Sequence, residues 1–145
     1  MRDKIRENVH HFYWGLDINC ARTTLSCLSE LVNTPVNLQT MQSAIGLHGA
    51  GGYRAQCGLV EGSLMFMGIF FAQKGKSDLE ISNICYQFAE RFTKKFSSLR
   101  CYNLRPNGFQ ENDPPHACEE LTGNAIEFTY NFIKSIDAKN NEYNS

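Results

Sequence analysis

Cysteine is the residue type here that could do chemistry. Six cysteines stand in 145 residues, at positions 20, 27, 57, 85, 101 and 118. None is paired at the C-x-x-C spacing of a thioredoxin site or a zinc knuckle, so any thiol site must be assembled by the fold from distant segments. Cys57 stands out by its context, GGYRAQCGLVEGSLMFMGIF. Glycine weakens a helix by about 1 kcal/mol relative to alanine, so Gly58, Gly62 and Gly68 in one apolar run call for another reason. Gly58 and Gly62 are four apart and share a helical face. Such a smooth face admits a second backbone or a bound ligand, which makes both candidate cofactor-binding positions. A thiol at the start of that helix sits where backbone amides lower its pKa, so Cys57 is expected to be a reactive thiolate.

The elements that must position these residues read as helices. Ile5, Val9, Phe12, Leu16 and Cys20 recur at helical steps, with a break at Gly15 and Asp17, and Asp17 is a candidate cap for a second helix reaching residue 32. Asn33 to Asn37 is a turn, and Asn37 caps a short helix over Leu38–Leu47. Gly46 to Gly52 is a joint containing His48. The next helix spans Arg54–Gln73, is apolar nearly all round, and is therefore the expected core helix. Ser77 or Asp78 opens an amphipathic helix over Asp78–Leu99, with Ile81, Ile84, Cys85, Phe88, Phe92, Phe96 and Leu99 on one face. Arg100–His116 carries three prolines and reads as a loop. The last helix covers Ala117–Asp137. No alternating β pattern occurs. The expectation is an all-α compact bundle of about five helices with a long loop before the last one, forming a single domain over residues 1–137 with a frayed polar tail at 138–145.

In this arrangement Cys20, Cys57, Cys101 and Cys118 fall near helix ends or junctions, whereas Cys27 and Cys85 lie on packed stripes. Three chemistries compete. In the first, Cys57 attacks and a second cysteine resolves. A bond between Cys101 and Cys118 would close a ring of about 18 residues and restrict the unfolded chain by about 3 kcal/mol. In the second, Cys20, Cys57, Cys101 and Cys118 hold a metal ion or an iron–sulfur cluster, with His48 or His116 as further ligands. The third is a structural or interaction module with inert buried thiols, which leaves the glycine-flanked Cys57 poorly explained. The glycines are neither a dinucleotide fingerprint, since no strand precedes them, nor a P-loop, since the GK[ST] ending is absent. A phosphate at the Arg54 end has only weak support.

Formal net charge is −1, with 14 basic and 15 acidic residues, which gives no footing for nucleic acid or a membrane surface. The opening MRDKIREN lacks a signal-peptide core. The low-charge run Leu59–Ala72 contains Glu61 and is too short to span a bilayer. The simplest expectation is a cytoplasmic protein, where persistent structural disulfides are disfavoured. One tryptophan, six tyrosines and ten phenylalanines leave room for a homodimer face.

The chain resembles the C_GCAxxG_C_C family, whose members are taken as redox-active on account of four hallmark cysteines. The first corresponds to Cys20 in DINCARTTL, the motif to CGLVEG from Cys57 to Gly62, the third to Cys101 in LRCYNL and the fourth to Cys118 in HACEEL. Leu59 stands where the family usually has alanine, which would enlarge a tight contact. The resemblance implies a redox role with an unknown redox partner; among the four cysteines, Cys101 and Cys118, which bracket the loop, are the favoured disulfide pair. Covalent c-type haem is not expected, because C-x-x-C-H is absent.

Overall fold

The computed structural model describes residues 1–105, 108 and 116–144, the last five of these as backbone only. Among the described residues the architecture is all-α, with eight helical segments rather than five: α1 (Arg2–His10), α2 (Cys20–Leu31), α3 (Leu38–Ser43), α4 (Gly49–Gly52), α5 (Gly58–Gln73), α6 (Asp78–Phe96), α7 (Cys101–Leu104) and α8 (Glu119–Asn144). The difference is physical. Segments α3, α4 and α7 are each a turn or two long, shorter than hydrophobic periodicity resolves. Most of the loop expected around Pro106, Pro114 and Pro115 lies outside the described residues; its first residues, Cys101–Leu104, are helical. At the other end α8 continues past Asp137 to Asn144.

Helix starts follow side-chain capping. Asn37 accepts from the Thr40 N–H at 2.9 Å, and Ser77 from that of Glu80 at 3.2 Å. The cap of α2 is Asn19, which accepts from the Arg22 N–H at 2.9 Å, and not the expected Asp17. Asp17 adopts a left-handed backbone with φ 51°, whereas a cap needs the extended conformation that Asn19 has.

The core is built around α5, as its all-round apolarity predicts. Leu59, Val60, Phe66, Met67 and Phe71 are fully buried, and α5 packs against α2, α6 and α8. Each such side chain contributes about 1.5–3 kcal/mol by leaving water. Its polar residues are matched. Ser63 Oγ donates to the Leu59 carbonyl at 2.7 Å and meets Thr129 Oγ1 of α8 at 3.0 Å. Glu61 accepts a hydrogen bond from Gln56 Nε2. Cys27 is buried, and Cys85 is half-buried against the core. No helix among the described residues is long and apolar enough to cross a membrane.

Between α1 and α2 the expected stripe fails by one residue. His11–Gly15 forms a π-helical turn, which inserts an extra residue and rotates the inward face. Tyr13 is therefore buried at 3% exposure, while Leu16, expected inward, is 55% exposed.

Candidate functional site

The close approach implied by the glycines is that of α2. A Cβ on Gly62 would lie 2.6 Å from the Ala21 carbonyl oxygen, and one on Gly58 would collide with Cys20 Sγ and the Leu47 carbonyl. The absence of side chains at these two positions is what lets Cys20 sit over the start of α5. Gly68 has open space instead, with nothing within 4 Å.

All four expected cysteines stand at helix starts. Cys20 is the first residue of α2, Cys57 caps α5, and Cys101 is the first residue of α7. The Cys118 carbonyl accepts the first bond of α8, from the Thr122 N–H at 2.8 Å. A short antiparallel pairing ties two of these starts together. The Cys57 N–H donates to the Leu99 carbonyl at 2.8 Å and the Cys101 N–H to the Ala55 carbonyl at 2.7 Å, on either side of a bridge between Gln56 and Arg100. Side chains alternate along such a pair, so Cys57 and Cys101 lie on the same side of it. Cys20 is held from below by Asn19, whose Nδ2 donates to the Ala44 and Ile45 carbonyls at 3.0 and 2.7 Å.

The electrostatics correct one expectation. Helix-start amides do act on Cys57, since the Leu59 N–H favours its thiolate, but desolvation is larger and, with Cys20 nearby, pushes the thiol up to about 12. Burial likewise pushes Cys20 up to about 11, with Cys101 and Cys118 adding and the Ala21 N–H opposing. Cys101 is raised by burial, against the pull of Arg105 and Arg54. Cys57 is thus a protonated, buried thiol at neutral pH, 5% exposed, and not the lowered-pKa thiolate that the helix start alone predicts. These mutual influences also mark the four sulfurs as one neighbourhood.

Cys20 and Cys118 line a cleft of about 440 Å³ together with Tyr13, Arg22, His48 and His116. Cys57 is not among the described residues that line it. His116 is pinned there and is no surface bystander: its ring stacks on Tyr13 at 4.7 Å, and Nε2 meets Asp17 Oδ1 at 3.1 Å. Among the described residues no group of three or more His, Cys, Asp or Glu side chains is gathered closely enough to hold a metal ion.

A family model described as "Putative redox-active protein (C_GCAxxG_C_C)" matches residues 18–132. The chain belongs to this family. No curated protein and no solved structure matches the chain significantly. The hallmark cysteines of the C_GCAxxG_C_C family, read here as Cys20, Cys57, Cys101 and Cys118, are the four that the fold draws together. Leu59, at the position usually held by alanine, is buried in the core at 1% exposure.

Sequence reasoning missed Tyr13 and Arg22. Tyr13 Oη shares a 2.7 Å hydrogen bond with Thr122 Oγ1, and burial first, then Cys20, holds its hydroxyl well above the usual tyrosine range. The only sequence signal for Tyr13 was the broken stripe before Gly15. Arg22 carried none, as a basic residue in the first turn of a helix reads as a solvated one.

Proposed function

We propose that this chain is a thiol redox protein whose working pair is Cys20 and Cys57. The observation that carries the reading is the seat of Cys20 Sγ against the backbone of Gly58, the residue next to Cys57. Cys20 opens onto the cleft and Cys57 does not, so Cys20 is the sulfur that meets a substrate and Cys57 the one that resolves. Oxidation removes two electrons and two protons from the two thiols and forms one disulfide. A pair without a stabilised thiolate is poised as an electron donor, the opposite of strongly oxidising pairs whose low-pKa thiolate favours the reduced form. Cys101, beside Cys57, and Cys118, on the cleft, are the further partners within reach of exchange.

A four-thiolate metal or iron–sulfur centre is the competing reading, and the lack of a close ligand group among the described residues weighs against it. Thiol titration before and after mild oxidation, with elemental analysis of protein purified without oxygen, separates the two. The thiol-pair reading expects two thiols lost and recovered by reductant, with no loss in Cys20→Ser or Cys57→Ser. One metal per chain, absent from Cys57→Ser, would overturn it.

A further inference from the structure

Resting on the thiol pair proposed above, we infer that His116, held by Asp17, is the base that takes the proton of Cys20. Three irregular pieces of backbone meet at the His116 ring. The π-helical turn brings Tyr13 onto it, ring on ring at 4.7 Å, with Trp14 edge-on at 5.2 Å. Asp17 and His116 both take left-handed backbones, φ 51° and 60°, and their side chains meet at 3.1 Å. Such conformations cost free energy and gather where one side chain must be held for chemistry. The ion pair by itself, with the Asp17 side chain 87% exposed, is too weak to offset two of them.

A carboxylate can only accept, so His116 Nε2 carries the proton toward Asp17 and the Nδ1 lone pair is the basic one. Nδ1 makes no hydrogen bond among the described residues. The ring is not sealed off, and it lines the same cleft as Cys20 and Cys118. Thiol, imidazole and orienting carboxylate form the general arrangement that activates a weak nucleophile. Cys20 needs such a group. Burial first, then Cys101, pushes its thiol up to about 11, which leaves almost no thiolate at neutral pH. The other groups facing the cleft do not replace His116. Arg22 and Arg105 keep their protons, and Tyr13 holds its own well above the usual range. His48 is exposed and has no orienting carboxylate among the described residues.

The step is a proton transfer. No hydrogen bond joins ring and sulfur directly among the described residues, and the cleft is open, so the proton crosses through water. The Cys20 S–H bond breaks, Nδ1 takes up a proton, and the neutral pair becomes a thiolate and an imidazolium with total charge unchanged. Asp17 faces the imidazolium that forms, and the Ala21 N–H favours the thiolate.

The test is the pH dependence of Cys20 labelling by iodoacetamide in the full reduced chain, read on the tryptic peptide of residues 7–22. Iodoacetamide is uncharged, forms a C–S bond and releases iodide, so its rate follows the thiolate. The wild type is expected to gain reactivity between about pH 5 and 8, where imidazoles lose their protons, and to level off above. His116→Gln should lower the rate at pH 7 about a hundredfold and leave a single rise toward pH 11. Asp17→Asn should fall between the two. His116→Gly, at a φ that glycine adopts freely, should regain rate when imidazole is added to the buffer. A purely structural His116 would change the rate by one factor at every pH, with no return on imidazole, and that result overturns the base. So does loss of the low-pH limb in His48→Gln but not in His116→Gln. Oxidation by diamide, which takes up two electrons and two protons, keeps the two readings apart. If the Cys20–Cys57 bond forms but the labelling profile of His116→Gln matches the wild type, the base is wrong and the thiol pair stands. If diamide forms no such bond in the wild type, the thiol pair itself fails and the inference with it.

Discussion

The two ends of the hydrophobic interior are built differently. Between α6 and α8, Phe88, Phe92, Phe96, Phe128 and Phe132 pack ring against ring with centroids 4.5–6.0 Å apart. Regular helices position these rings, and burial alone accounts for them. Around the cysteines the backbone is irregular: Asp17, Ala50, Arg54 and His116 all have positive φ, a conformation that costs non-glycine residues free energy and persists only where the surroundings enforce it. The phenylalanine region supplies stability, and the cysteine region spends part of it on bringing four helix starts together.

Substitutions on each side should therefore separate stability from chemistry. The largest effect is expected from Phe92→Ala, which empties a site with no exposure. Urea unfolding should show a loss of about 3–5 kcal/mol, with Cys20–Cys57 oxidation of the remaining folded protein unchanged. Gly58→Ala should lower stability by about 1–3 kcal/mol and also alter thiol oxidation, because the new Cβ displaces Cys20. Gly68→Ala serves as its control: with open space at that position, the better helix former should raise the midpoint, by up to about 1 kcal/mol. An equal response at both glycines would break the distinction between the two regions.

A pH titration sharpens it further. The unfolded Cys57 thiol ionises near its ordinary 9.0, while the folded one holds its proton to about 12. Between these values the unfolded chain binds fewer protons, so stability is full below pH 9 and falls as pH rises toward 12. Denaturant midpoints should follow that fall, and Cys57→Ser should flatten part of it. The smallest effect is expected for Tyr13→Phe, about 1 kcal/mol for the lost bond to Thr122, measured by the same unfolding curve.

The regular region was the more legible one. A heptad-like stripe announced α6, uniform apolarity announced α5 as central, and Gly58 with Gly62 announced a close neighbour, because each of these is a local pattern. The cysteine region was legible only in outline. The four cysteines at helix junctions could be picked out, but the π-helical turn that brings Tyr13 inward left only a break in the stripe, which does not say how the face is rotated. Nor could the sequence reveal the Gln56–Arg100 bridge, which pairs segments 44 residues apart, or the burial that reverses the thiol shift at Cys57. Burial depends on what covers a residue, and α2 and the bridged segment covering Cys57 come from distant parts of the chain.

The central claim, that Cys20 and Cys57 form the working pair, is tested most directly by mapping the disulfide after mild oxidation of the full chain. Tryptic cleavage leaves Cys20 in residues 7–22 and Cys57 in residues 55–74. The prediction is one cross-linked species of these two peptides, abolished by reductant and absent from Cys57→Ser. A Cys101–Cys118 cross-link in its place, or six free thiols after oxidation, would contradict it.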